Sequence, residues 1–428
     1  MCSLQHLKDV ICRRDFNFDN PHLDLDKFHP QLKIVLFSNG NFFNNTESKF
    51  RFILPAVSSS LAVVGLVLEA MVMYHGLSEK DYAVATESFC YCILLSAIPV
   101  VNLSVLANKA KIINLLGKMN DDFKYICTLD QKYKRPFLHG QLLIWQLCYV
   151  WFIFTSIVAS MFPVTCIVEL TYQSLFATQN ENTVRPLAYP LWLPNDDPYR
   201  SPNYEIFLVI QVTITFNFVQ TYCVFIYVLF HTLLHYYYLM KLIFLDFEVL
   251  FDGLDETVSR LSPCNPRRIA VQLTLNKRMK RIVNWHTSVL RSVELLSSIF
   301  GPPLVFQVVF SSIAICLVAY QIADYLDHGK IHFLFVLLFS ATCIQLWIPC
   351  YLGTLLRNRA FEIGEACWRC GWHETPLGQL LRSDIIILIL RAQQPVSIKF
   401  IGLPKLELET FSSIISTSYS YFNILRQY

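Results

Sequence analysis

Along the chain, apolar positions gather into long runs separated by stretches rich in charge. A helix that crosses a ~30 Å hydrocarbon core needs ~20 mostly apolar residues. Six runs meet that standard: residues 52–74, 83–106, 141–167, 206–232, 296–321 and 332–356. Each is too long and too apolar for a helix of a water-soluble core. Pro99, Pro163, Pro302, Pro303 and Pro349 fall inside them. In a bundle, neighbouring helices satisfy the carbonyls a proline frees, so these predict kinks rather than helix ends.

The fourth run does not stop where a membrane would. Aromatic and apolar residues continue through His235, Tyr236, Tyr237, Tyr238, Phe244 and Phe247 to Phe251. One helix over 206–251 is ~70 Å long at 1.5 Å per residue, about twice the hydrocarbon core. The excess is expected to project into water as a packed helix. Residues 267–296 return beside it and complete a helical layer over about 233–295. The seventh run differs. Asp384 to Leu390 is apolar but too short to cross; Pro395, Gly402 and Pro404 follow, and Phe411 to Leu425 is again helical in pattern and short. This reads as one span broken into an inner half, 384–394, and an outer half, 408–428. The organisation expected is a polar segment 1–51, six transmembrane helices over 52–356, a loop 357–383 and the broken helix 384–428. That is an all-α membrane protein with seven transmembrane helices.

Composition agrees. Only 16% of the 428 residues are charged, against about 25% in soluble domains. A net charge of +3 gives no basis for nucleic-acid binding. Residues 1–51 mix acid and base and show no short apolar core before a small-residue cleavage site, so the first span is expected to act as its own entry signal. Of fourteen cysteines, seven (Cys90, Cys92, Cys148, Cys223, Cys316, Cys343 and Cys350) lie within apolar runs, where a thiol behaves as a small hydrophobe. They are expected to stay reduced.

Charge also orients the chain. Lys and Arg concentrate on the cytosolic side of membrane proteins. Segment 1–51 and the loops after spans two, four and six hold 27 of them, while the opposite loops hold four: Lys80, Arg185, Arg200 and Lys330. The N-terminus is therefore expected in the cytosol and the C-terminus outside. That is the reverse of a G-protein-coupled receptor. Residues 169–205 also lack the cysteine that class needs, and neither Asp-Arg-Tyr after the third span nor Asn-Pro-x-x-Tyr in the seventh is found.

The candidate chemistry lies in the last helix. Ser413, Ser416, Ser420, Asn423 and Gln427 recur at spacings of three and four, which places them on one stripe, bordered by Thr417 and Ile424. Hydrocarbon does not solvate such a stripe, so it faces protein or water. Several copies around an axis would line a wet path, with Ile424 as an apolar constriction. A stripe of serines also serves as a close-packing surface between helices.

No catalytic, metal or cofactor site is expected. Cys367-x-x-Cys370 with His373 is half a zinc pattern without a second pair, and His231 and His235 lack the glutamate of a zincin. Asn44-Asn-Thr46 and Asn102-Leu-Ser104 are glycosylation sequons on paper, one on the cytosolic side and one inside span two. Glu69 and Glu87 mark the outer ends of spans one and two.

The stretch from Glu409 to Leu425 resembles the closing helix of insect odorant receptors. Arg391-Ala-Gln-Gln-Pro-Val396 and Leu403-Pro-Lys-Leu-Glu-Leu-Glu-Thr410 resemble the link between that family's two half-helices, and Trp285-His286 before the fifth span is similar too. The chain looks like a ligand-tuned subunit; the insertion that lengthens the co-receptor's second cytosolic loop is not found. The resemblance implies an odorant-gated, non-selective cation channel in the plasma membrane of olfactory sensory neurons. It implies a heterotetramer with the co-receptor, a small volatile odorant and membrane lipid as partners, and no cofactor. It places the gate at Ile424 and the outer mouth at Gln427 and Tyr428, with Thr417 and Ser420 along the pore. It puts the odorant pocket in the outer halves of spans two, three, four and six. Span two offers Phe89 and Tyr91, and span three Phe154, Met161 and Phe162. Span four offers Val209, Thr213 and Phe216, and span six Phe335 and Phe339. A gustatory receptor of the same superfamily and a transporter with a broken helix are the alternative readings.

Overall fold

The computed structural model describes residues 11–13, 18, 20, 23–38, 52–176, 185–394, 396, 398 and 405–427. Tyr428, the sequon at 44–46 and the Pro395, Gly402 and Pro404 of the expected break lie outside them. Among the described residues no strand occurs. Two short helices, α1 (Leu25–Phe28) and α2 (Pro30–Ser38), precede α3 (Ile53–Glu79) and α4 (Tyr82–Ala107). An amphipathic helix, α5 (Lys109–Cys127), leads to three very long ones: α6 (Gln131–Phe176), α7 (Asn203–Glu248) and α8 (Pro266–Asp327). They are followed by α9 (Phe333–Arg369), α10 (Arg382–Ala392) and α11 (Leu408–Leu425). Six of these, α3, α4, α6, α7, α8 and α9, are long and apolar enough to cross a membrane.

Local chemistry sets the ends. Lys80 closes α3 in the left-handed conformation, with φ 62°, and Asp81 caps α4 by accepting from the Val84 N–H at 3.1 Å. The hairpin is tight because Gly76 has no side chain: a Cβ there would lie 3.0 Å from the Ala85 nitrogen. Asn265 caps α8 by accepting from Arg267 N, and Pro266 occupies the first turn, where its missing N–H is not needed.

The helices form two layers along their length. In one, the inner part of α7 is buried almost without a break from Thr221 to Tyr236. It packs against the first half of α8, α5, and α1 and α2 in the largest apolar cluster. α7 and α8 span 46 and 62 residues, ~69 and ~93 Å at 1.5 Å per residue, so both continue far past one hydrocarbon thickness. The return segment over 267–296 is the first half of α8, continuous with the fifth span. α5 stands where the sequence shows a lysine-rich connection; Ile112, Leu115, Leu116, Met119, Phe123 and Ile126 face inward at helical spacing.

Several polar groups inside this layer are paired. Arg281 reaches Asp246, which also accepts from the Tyr133 hydroxyl at 2.7 Å. Burial, then Asp246, pushes the Tyr133 phenol up to about 12. His29 hydrogen-bonds Gln141 at 3.0 Å, and Gln141 meets His235 at 3.2 Å. Burial, and then His231 beside it, holds His29 well below its ordinary value. His286 is pushed down to about 4 by burial and then by Arg391. His29 and His286 are thus neutral parts of the packing.

Candidate functional site

In the other layer the helices separate enough to leave a cavity of about 70 Å³. Each surrounding helix contributes one stripe at spacings of three and four, the helical repeat. From α4 come Tyr91, Leu94 and Leu95; from α6, Trp151, Phe154, Thr155, Val158 and Phe162. From α7 come Thr215, Phe218, Val219 and Tyr222, and from α9, Leu338, Ala341, Thr342 and Gln345. Tyr189, from the connection between α6 and α7, completes the wall. The lining is largely aromatic and aliphatic with a few polar groups, the composition of a small-molecule pocket.

Tyr189 is held from behind by a buried amide. The Gln211 side-chain oxygen accepts from the N–H groups of Ala188 (2.9 Å) and Tyr189 (3.2 Å), and its NH₂ donates to the Tyr189 carbonyl at 2.9 Å. The Tyr189 hydroxyl meets Thr215 Oγ1. Its ring packs edge-on to Tyr91 at 4.6 Å, and on the same loop Trp192 stacks on His75 at 4.4 Å.

Of the ten residues proposed from sequence as a pocket lining, Tyr91, Phe154 and Phe162 line this cavity. Phe89, Val209 and Phe216 are 40%, 65% and 46% exposed, on helix faces turned away from the bundle. Thr213 shares that outward face and hydrogen-bonds Val209 O within its own helix. Met161 is half-buried beside Phe162. Phe335 is buried in a separate cluster with Cys90, Leu317 and Leu338, and Phe339 packs between that cluster and the main core.

Sequence reasoning passed over Thr155, Thr215, Thr342, Tyr222 and Gln345. A signal for them existed: they are polar residues inside apolar spans, which avoid lipid and so mark inward faces. Tyr189 carried no such signal, because it lies on a loop.

The second feature is α11, which lies on α8 and α9. Its base is clamped: Arg357 pairs with Glu407, and Thr354 Oγ1 accepts from Leu408 N at 2.9 Å. The chain entering α11 passes directly over Gly353, where a Cβ would sit 2.0 Å from the Leu406 oxygen. Midway, Ser418 is buried and donates to Ser312 O at 2.9 Å. At the far end Arg426 makes a two-pronged pair with Asp327, at 2.8 and 2.9 Å. Between these fixings the opposite face is open. Ser413, Ser416, Thr417, Ser420, Asn423 and Gln427 are exposed, and Ile424 is 52% exposed. Among the described residues no group of three or more His, Cys, Asp or Glu side chains is placed to hold a metal ion, and Cys367 and Cys370 are free thiols.

A family profile described as 7tm Odorant receptor matches residues 81–419. Odorant receptor 13a of Drosophila melanogaster is 32% identical over 164 residues, 35% of this chain and 38% of that protein. Odorant receptor 10 of Aedes albopictus is 23% identical over 244 residues, 57% of this chain and 61% of that one. The chain thus spans less than two thirds of the length of these curated relatives. Among solved structures, the insect olfactory receptor OR5 from Machilis hrabei superposes with a TM-score of 0.71 at 16% identity, covering 94% of this chain and 98% of that one. The same receptor in complex with eugenol gives 0.68, with the same identity and coverage. At that identity the likeness is one of fold.

Proposed function

The chain belongs to the 7tm odorant receptor family, and from that premise we propose that it is the ligand-tuned subunit of a heteromeric odorant-gated, non-selective cation channel. A small volatile enters the cavity between α4, α6, α7 and α9, and the pore runs along the open face of α11. Four subunits, of this chain and a co-receptor, place such faces around one axis. Ser420, Thr417, Gln427 and Tyr428 then contact water and Ile424 forms the constriction. The N-terminus lies in the cytosol and the C-terminus outside. α10 and α11 are the inner and outer parts of the seventh pass, residues 384–394 and 408–428, and the complex resides in the plasma membrane of olfactory neuron dendrites.

The observation that carries this reading is the contrast on α11. Its packed side is fixed at base, middle and tip, while its polar side meets no other helix among the described residues. A row of hydroxyls and amides at membrane depth is tolerated where it meets water or other protein. An assembly around a water-filled axis supplies both.

The test is electrical. With the co-receptor expressed alongside, volatiles are expected to evoke an inward current; without the co-receptor or the volatile there is none. Ile424→Ser is expected to raise the resting current several-fold, because a polar constriction no longer excludes water. An unchanged resting conductance in that variant removes Ile424 from the gate. A C-terminal epitope that stains only permeabilised cells overturns the orientation.

A further inference from the structure

The polar groups of the cavity can be sorted by what they still offer a ligand. Thr215 Oγ1 donates its single hydrogen to the Gln211 carbonyl at 2.9 Å. In the contact between Tyr189 and Thr215 the tyrosine must therefore be the donor. Thr155 donates to the carbonyls of Trp151 and Phe152, Thr342 to Leu338 O, and the Trp151 indole to Cys223 O. The threonine, indole and Tyr189 donors on the wall are all engaged within the protein. The Tyr91 hydroxyl beside Tyr189 is engaged with Glu87, so at the end nearest the α6–α7 loop what remains is lone pairs on the Tyr189 and Thr215 oxygens. The amide on the wall, Gln345, is at the opposite end, where it interacts with Tyr222.

Resting on the reading of the cavity as the odorant site, we propose that it selects volatiles bearing a hydroxyl group, alcohols or phenols, whose O–H donates to the Tyr189–Thr215 pair. An ether or ester oxygen needs a donor at that end. To provide one, Tyr189 must release Thr215, leaving a buried hydroxyl oxygen unpaired. A ligand that donates leaves the chain from Tyr189 to Thr215 to Gln211 O intact. Tyr189 is fixed for this role, since Gln211, 3% exposed, holds its backbone by two hydrogen bonds and that of Ala188 by a third. The aromatic and aliphatic remainder of the wall takes the apolar body of the ligand by burial.

The experiment records currents from the full chain with the co-receptor. The probes are straight-chain, benzylic and phenolic alcohols, each paired with its own methyl ether. The active alcohols are expected to work at concentrations about tenfold lower than their ethers, the scale of one buried hydrogen bond. The double variant Tyr189→Phe/Thr215→Val keeps the shape of the site but removes both acceptors; it is expected to weaken the alcohols about tenfold and to erase their advantage over the ethers. Thr215→Val frees the Tyr189 hydroxyl to donate, so ethers and esters are expected to gain sensitivity. Surface labelling of both variants separates these effects from failed folding, and either variant alone suffices. Equal potency within the pairs on the unsubstituted receptor, or an equal loss for alcohols and ethers in the double variant, overturns the proposal while leaving the odorant site standing. Silence to every volatile from a receptor labelled at the surface counts instead against the odorant reading itself.

Discussion

The cavity and the outer face of α11 are opposites. The cavity is enclosed and mostly apolar, and its hydroxyl donors are satisfied within a single chain. The α11 face is polar and open; Thr417 and Ser420 donate to carbonyls of their own helix, and no other helix among the described residues covers the face. Hydrocarbon does not solvate polar side chains, so the cavity is closed within one copy, whereas the α11 face needs water or other protein set against it. On the proposed reading, ligand recognition would reside in one chain, whereas conduction would be a property of an assembly.

The largest expected effect breaks the α11 side alone. Gly353→Leu drives a side chain into the Leu406 carbonyl, a backbone atom that cannot yield, so the cost exceeds the usual ~1–3 kcal/mol of overpacking. Current is expected to vanish. Ligand-induced thermal stabilisation of the purified protein persists, since the cavity is lined by none of the displaced residues; joint loss of both would show that the two regions are not independent. A change of intermediate size addresses the cavity. Val158→Phe fills it from α6 and is expected to raise the effective odorant concentration about tenfold or more, by removing the space that buries the ligand's apolar body. Resting current stays unchanged, and a rise there would link the cavity wall to the gate. The smallest effect concerns the exposed tether of α11. Asp327→Asn breaks an ion pair whose partners are 61% and 50% exposed. Such pairs contribute about 0.2–1 kcal/mol, so the channel's opening equilibrium is expected to shift less than about fivefold, and less again at high salt. A larger shift would mean that the tip of α11 is held more tightly in the closed state than a surface pair allows.

The two regions were also unequally legible in sequence. The α11 stripe was readable because Ser413 to Gln427 alternate sharply with apolar neighbours, and the period of a helix is local. The cavity was not. Phe89, Val209 and Phe216 are as apolar as Tyr91 and Phe218, yet they face outward. Choosing residues by aromatic character could not separate them. Spacing from Thr155, Thr215 and Thr342, the polar residues that lipid excludes, would have recovered the inward faces. The lysine-rich connection after α4 hid a helix for a different reason: α5 is too short and too charged to register as a span, although its apolar positions keep the helical repeat.

The chain by itself determined the six long apolar runs, the surplus length of α7, the sorting of cationic residues and the polar stripe of the last helix. Each of these follows from a requirement that acts on one segment at a time: hydrocarbon thickness, charge at the membrane surface and helical period. Only the tertiary structure decided which face of each span borders the cavity and that Tyr189 closes it from a loop. It also decided that Gly353 must be bare for the chain to enter α11. Lipid and protein interior are both apolar, so hydropathy carries no mark of which one a side chain will meet; that is settled when the helices pack.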